Sequence, residues 1–203
     1  MRTDPMSTDA VEEARKRLTA AAEDLDTDGI AGLVLEYAQR SGVAPFWAQV
    51  CVPLLAALPG RDGTGIAVEH ALSEGVRVGL DVHGRVPRRP YPPDGVLLAG
   101  AEQETHCLGL HALAAALREQ GRGCLLLGPA LPWVALAGAV YRTRPHTVVV
   151  WSQTPVTGRA YRLVRFSRDF PSVRVRAAGP GWIEPLPAPL DRFTSLIAAA
   201  RAC

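Results

Sequence analysis

Apolar positions keep one period in the first part of the chain and alternate between two periods in the second. From Asp9 the chain reads as helix, with Val11, Ala14, Leu18, Ala21, Ala22 and Leu25 on one face and Glu12 completing a capping-box pattern. Asp26-Thr27-Asp28-Gly29 is the turn that ends it. A second helix runs from Ile30 through Leu33, Val34, Tyr37 and Ala38 to Ser41-Gly42. A third starts near Pro45 and carries Trp47, Val50, Cys51, Leu54, Leu55 and Leu58, with a kink expected at Pro53. After a loop from Pro59 to Gly63, a fourth helix carries Ile66, His70, Leu72, Ser73, Val76 and Leu80. Short helices joined by short loops predict a four-helix bundle over residues 8–83, preceded by a loose end from Met1 to Ser7.

Residues 84–94 hold four prolines, so they read as a linker, and their arginines Arg85, Arg88 and Arg89 as a solvated stretch. From Gly95 short apolar runs alternate with helical patterns. Gly95 to Gly100 is a buried strand, Leu108, Leu110, Leu113, Ala114 and Leu117 mark a helix, and Cys124 to Gly128 is the next strand. Pro132 to Tyr141 reads as helix, Thr147 to Ser152 as strand, Thr157 to Phe170 as helix, Ser172 to Ala177 as strand and Leu190 to Ala202 as a closing helix. Arg159, Arg162, Arg165 and Arg168 recur at every third position and read as the wet face of their helix. Residues 95–203 are thus expected to form a Rossmann-like, flavodoxin-like parallel sheet, giving an α plus α/β chain.

Chemistry concentrates between the first strand and the first helix of that second part, in Glu104-Thr105-His106-Cys107-Leu108-Gly109. Ligands of open α/β sheets bind beyond the carboxyl ends of the strands, which puts His106 where a ligand would lie. Glu104 is placed to accept from one ring nitrogen of His106, leaving the other for a metal, and Gly109 lets a bulky group pass close to the backbone. The competing reading is a polar loop that caps a helix.

Composition narrows the classes. The chain has 203 residues, 48% of them hydrophobic, enough for a real core, and its net charge of +2 does not call for nucleic acid. Cys51, Cys107, Cys124 and Cys203 form no Cys-x-x-Cys pair, which disfavours zinc and thioredoxin-like readings. There is no signal-peptide pattern and no apolar run of about 20 residues, so a cytoplasmic location is expected. Gly-x-Ser-x-Gly, phosphate-loop and His-Glu-x-x-His motifs are absent, and catalysis by the chain alone is not expected.

Glu-x-His-x-x-Gly after a first strand resembles the corrinoid-binding signature of cobalamin-binding Rossmann-like domains. Such domains carry a serine at the end of a later strand and a glycine pair after the next, lining the slot for the cofactor's nucleotide tail. Val148-Val149-Val150-Trp151-Ser152 and Ala178-Gly179-Pro180-Gly181 stand in those places here, the glycine pair being split by Pro180. The resemblance implies that His106 is the lower axial ligand of cobalt, that Glu104 is its partner, and that Gly109, Gly128, Ser152, Gly179 and Gly181 shape the tail slot.

Glu69-His70 on the fourth helix resembles the Glu-His pair in the helical cap of light-sensing cobalamin regulators, the CarH and LitR group of the MerR family. The likeness implies that Glu69 and His70 line the upper face of the corrin, with His70 a second cobalt ligand once an upper group such as adenosyl leaves. The alternative is a bundle histidine satisfied by Glu69 or by backbone. About eight residues precede the first helix, so the family's DNA-binding part has no counterpart and direct DNA binding is not expected. Pro59 stands where the family's shielding tryptophan falls. Standalone photocobilin-type proteins look similar in architecture and imply a bilin such as biliverdin as second chromophore, with Tyr37, Phe46, Trp47, Arg61 and His70 as its candidate contacts.

The resemblance implies a light-responsive sensor whose upper ligand is photolysed and whose output passes to a regulatory partner protein or to its own dimer or other homo-oligomer interface. Three rivals stand beside it. One is a corrinoid methyl-carrier component of a methyltransferase system, one an antirepressor that binds a transcription factor, and one an α/β domain that has lost its ligand.

Overall fold

Ser7 caps the first helix of the computed structural model, which describes residues 5–58, 63–85 and 93–203. Its hydroxyl accepts from Ala10 N–H at 3.3 Å and starts α1 (Thr8–Glu23), so the Asp9–Glu12 box expected from sequence gives way to a cap two residues earlier. Asp26 does the same for α2 (Thr27–Ser41), accepting from Gly29 N–H at 2.8 Å. The acidic cluster expected as a turn is therefore the cap and first turn of a helix. Gly42, at φ 86°, ends α2 in a conformation that favours glycine.

Pro53 does not simply kink the third helix. The segment is α3 (Val43–Phe46), a π-helical turn (Trp47–Cys51) and α4 (Val52–Ala57), with Val52 N–H bonded to Trp47 C=O. Proline has no N–H to give the carbonyl four residues back, which is that of Gln49. The Arg15 guanidinium donates to that carbonyl instead, from Nη2 at 2.6 Å and Nε at 3.2 Å. Removing this donor leaves a part-buried carbonyl without its charged partner. Arg15→Ala is expected to lower the stability of the helical unit by about 1.5–3 kcal/mol in urea unfolding, with Arg15→Lys recovering part of the loss.

Close approach of α2 and α5 (Gly63–Gly84) sets the rest of this unit. A Cβ on Gly75 would lie 2.5 Å from Ile30 Cβ, and one on Gly79 2.6 Å from Val34 Cβ. Leu72, Val76 and Leu80 beside them are buried. Met1 to Asp4, the loop from Pro59 to Asp62 with Arg61, and the proline-rich stretch from Val86 to Pro92 with Arg88 and Arg89 lie outside the described residues. The chain divides into two compact units, Met1–Arg89 and Pro90–Cys203.

The second unit is the α/β fold expected from its alternating pattern. Its elements are β1 (Pro93–Gly100), α6 (Leu108–Glu119), β2 (Gly123–Leu126), α7 (Trp133–Thr143), β3 (Thr147–Trp151), α8 (Ala160–Asp169), β4 (Arg174–Ala178), β5 (Asp191–Phe193) and α9 (Leu196–Ala202). All strand pairs are parallel, in the order β2-β1-β3-β4-β5. This is the flavodoxin-like winding, whose chain reverses direction across the sheet between β1 and β3. Leu97, Ala99, Val148, Val150, Val175 and Ala177 alternate onto one face, where Leu136 and Val140 of α7 and Leu163 and Phe166 of α8 cover them. Helix α6 packs on β1 and β2 and against α9.

Several expected boundaries move, among them those of the linker expected over 84–94, which gives Gly84 to α5 and residues 93–94 to β1, and of the strand expected over Cys124 to Gly128, which is Gly123–Leu126. Asp191-Arg192-Phe193 joins the sheet edge opposite Arg176-Ala177-Ala178, and Ser195 caps α9 by accepting from Ala198 N–H, so the expected closing helix from Leu190 begins only at Leu196. Thr157 is held in the loop before α8, which delays that helix to Ala160. The arginine stripe of α8 is exposed. Cys51, Cys124 and Cys203 are buried, and burial pushes the thiols of Cys124 and Cys203 up to about 11. Among the described residues no helix is long and apolar enough to cross a membrane.

Candidate functional site

The loop that leaves β1 is fixed before it reaches His106. Gly100 N–H bonds to Gly128 C=O at 2.9 Å and Ala101 N–H to Trp151 C=O at 2.8 Å, tying the strand end to its neighbours on both sides. Glu104 N–H then returns to Ala101 C=O, and Glu104 C=O accepts from Ala130 N–H at 2.7 Å. Gly128, at φ 80° with open space beside it, turns the chain after β2. The loop therefore stands at the carboxyl ends of β1 and β3, the reversal point of the sheet.

Glu104 is the hub of this loop. Its side chain is 1% exposed, whereas that of His106 is 66% exposed. Oε1 accepts from His106 N–H at 2.8 Å and lies 2.9 Å from His106 Nδ1. Oε2 accepts from Gln153 N–H at 2.8 Å, from Thr154 N–H at 3.2 Å and from the Thr157 hydroxyl. Burial pushes the Glu104 carboxyl up, but the hydrogen bonds from Thr157, from the backbone of His106 and Gln153 and from the His106 ring outweigh it and hold the group below the usual carboxylate range. The ionised carboxylate only accepts, so the Nδ1 that faces it carries a proton, which in the neutral tautomer leaves the lone pair on Nε2. That is a preoriented nitrogen donor.

Ser152 extends the network inward. It is fully buried, with Oγ 2.7 Å from Thr157 Oγ1 and 2.9 Å from Thr154 C=O. A Cβ on Gly181 would stand 2.4 Å from Ser152 Oγ, and one on Gly179, at φ 93°, 2.2 Å from Ser152 C=O. Glycine is required at both places by close packing. Gly109 is also closely packed, for a built Cβ would lie 2.2 Å from Trp151 Cη2. The structure thus brings Glu104, His106, Gly109, Ser152, Gly179 and Gly181 to one end of the sheet. Sequence reasoning missed Thr157 and Trp151. Thr157 pairs with Glu104 across 53 residues, beyond any local pattern, while Trp151 was legible as the residue that ends β3 immediately before Ser152.

Glu69 and His70 lie on α5 of the other unit. His70 is exposed, and Glu69, half-buried, accepts from Ser73 Oγ at 3.0 Å. Of the residues named for a bilin, Tyr37 and Phe46 are buried and stacked at 6.0 Å, Trp47 is half-buried, and Arg61 lies outside the described residues. Among the described residues no three His, Cys, Asp or Glu side chains converge on a metal position.

No protein-family model matches the sequence, and no curated protein matches it. Solved structures do. The monomethylamine corrinoid protein of Methanosarcina barkeri is similar with a TM-score of 0.65 and 16% identity, over 94% of this chain and 97% of that one. The methanol:cobalamin methyltransferase complex MtaBC of Methanosarcina barkeri matches at 0.47 and 14%, over 98% of this chain and 83% of its own. A cobalamin-binding protein from Desulfitobacterium hafniense DCB-2 matches at 0.47 and 16%, over 92% and 95%. The likeness to the first establishes a common fold.

Proposed function

We propose that this chain binds a corrinoid, with His106 Nε2 as the lower axial ligand of cobalt and Glu104 as the residue that holds its tautomer and direction. The observation that carries this reading is the buried, ionised Glu104 beneath an outward imidazole at the reversal point of a parallel sheet. The shared fold with a corrinoid protein supports it. A bound corrinoid would supply a cobalt centre able to carry an alkyl group on its upper side. The chain's own part is to orient one nitrogen, to hold a proton on Nδ1, and to tune ligand basicity through the Glu104–Thr157–Ser152 chain.

Within that reading the chain is a methyl-group carrier that works with a separate methyltransferase, a reading drawn from the fold it shares with the monomethylamine corrinoid protein. A second reading, a light-responsive sensor holding adenosylcobalamin with or without biliverdin, draws on the exposed His70 beside Glu69 on α5. Illumination of the adenosylcobalamin complex separates the two: a light-driven change in its absorption spectrum that the His70→Ala variant alters favours the sensor.

The test of the common reading is equilibration with hydroxocobalamin and with aquocobinamide, followed by desalting and absorption spectroscopy. Wild type is expected to retain corrin bands and His106→Ala to bind at least about tenfold more weakly, with the spectral signature of nitrogen ligation lost from the aquocobinamide complex, whose corrinoid brings no nitrogen base of its own. Equal retention and an unchanged spectrum in the variant would remove His106 from the site.

A further inference from the structure

The space that Gly109 and Gly179 open at the ends of β3 and β4 is filled by the chain itself. Trp151, the last residue of β3, lays its six-membered ring against Gly109, where a built Cβ would be 2.2 Å from Cη2 and 2.6 Å from Cζ2 and Cζ3. Its Cδ2 would stand 3.1 Å from a Cβ on Gly179. One indole thus occupies both glycine surfaces. Its Nε1–H is buried and, among the described residues, the only buried side-chain nitrogen or oxygen without a hydrogen-bond partner. An unmade bond of that kind opposes stability.

Resting on the corrinoid reading, we infer that Trp151 is a specificity residue: its indole takes the place of the nucleotide arm, so the chain selects corrinoids that lack that arm over complete cobalamin. The two halves of the site differ in their fit to the cofactor. The His106 side chain is exposed and leaves Nε2 open to cobalt, whereas the cradle beside Gly109 and Gly179 already holds an aromatic ring. Ser152 cannot easily serve an arm either, because its hydroxyl is committed to Thr154 and Thr157. A complete cobalamin must displace the indole from its contacts with Gly109 and Gly179, and a corrinoid without the arm need not. Exclusion by a filled pocket is a repulsive element of selectivity.

The experiment compares aquocobinamide and hydroxocobalamin on the full chain and on Trp151→Val and Trp151→Phe, with affinities from spectral titration and folding checked by far-UV circular dichroism. Wild type should prefer cobinamide by about tenfold or more. Trp151→Val, which removes the rings but keeps a strand-forming residue, should bring hydroxocobalamin to within about threefold of cobinamide while leaving cobinamide affinity unchanged. Trp151→Phe, which keeps a ring in place, should resemble wild type. Equal affinity of wild type for both corrinoids, or a parallel change for both in Trp151→Val, overturns the proposal while leaving His106 as the ligand. Retention of neither corrinoid by folded wild type overturns the corrinoid reading and this inference with it. If Trp151→Val does not fold, Trp151→Leu takes its place with the same expected and overturning results, because only a preference that changes with the side chain reports on the indole and not on the competing base that complete cobalamin carries.

Discussion

Glu104→Ala is expected to destabilise the α/β unit by about 3–5 kcal/mol at neutral pH, measured by urea unfolding followed through far-UV circular dichroism. The carboxylate is the single acceptor on which His106, Gln153, Thr154 and Thr157 converge, so its loss strands several donors in a buried loop. Glu104→Gln keeps one carbonyl oxygen and should lose less, while Thr157→Val, which removes one donor with its partner still satisfied, should lose about 1–2 kcal/mol. The pH dependence has a definite sign. The folded-state pKa of Glu104 is depressed below its ordinary value of 4.5, so its contribution is fully present above that value and is lost as pH falls through the lower, folded-state value. In Glu104→Gln that acid slope should flatten. A variant as stable as wild type at pH 7, with the same acid limb, would show that the carboxylate does not organise the loop.

Gly79→Val is expected to damage the helical unit severely, costing about 3 kcal/mol or more in the same assay. Its Cβ would lie 2.6 Å from Val34 Cβ and 2.8 Å from the Ala31 carbonyl oxygen, which belongs to the backbone of α2 and cannot rotate away. The helices must separate, and the contacts of Ile30 and Val34 with α5 are lost together. A matched control lies on α2 itself. Gly32 has open space where its Cβ would be, so Gly32→Ala should stabilise by up to about 1 kcal/mol through helix propensity alone. Similar effects at both glycines would refute the close-packing account.

Legibility in the sequence followed the range of the forces involved. The apolar runs Val96-Leu97-Leu98-Ala99 and Val148-Val149-Val150 announced buried parallel strands because both of their faces are covered, which leaves no polar alternation to confuse the pattern. The helix from Leu108 was legible from the helical spacing of Leu108, Leu110, Leu113, Ala114 and Leu117. Asp191-Arg192-Phe193 was not, since three residues at a sheet edge are strand only through their register with β4. The π-helical turn was missed because the proline rule names a disruption and not its remedy, which comes from Arg15 on another helix. In the site, the Glu104–His106 pair was local enough to see. The support beneath it, from Thr157 and the Gln153 backbone, is brought there by the winding of β1 beside β3. Trp151 shows the converse difficulty: a motif indicated which glycines open a space, but only packing shows what fills it.

The sheet ends in a three-residue strand, β5, on one side and a four-residue strand, β2, on the other. An edge that short offers an incoming strand too few ladder bonds to anneal, and Asp191 and Arg192 add charged, exposed side chains to one of them. The folded α/β unit is thereby guarded against edge-to-edge pairing of its sheet with another. Any homo-oligomer must then be assembled through side-chain surfaces, and it should dissociate by dilution without loss of sheet structure.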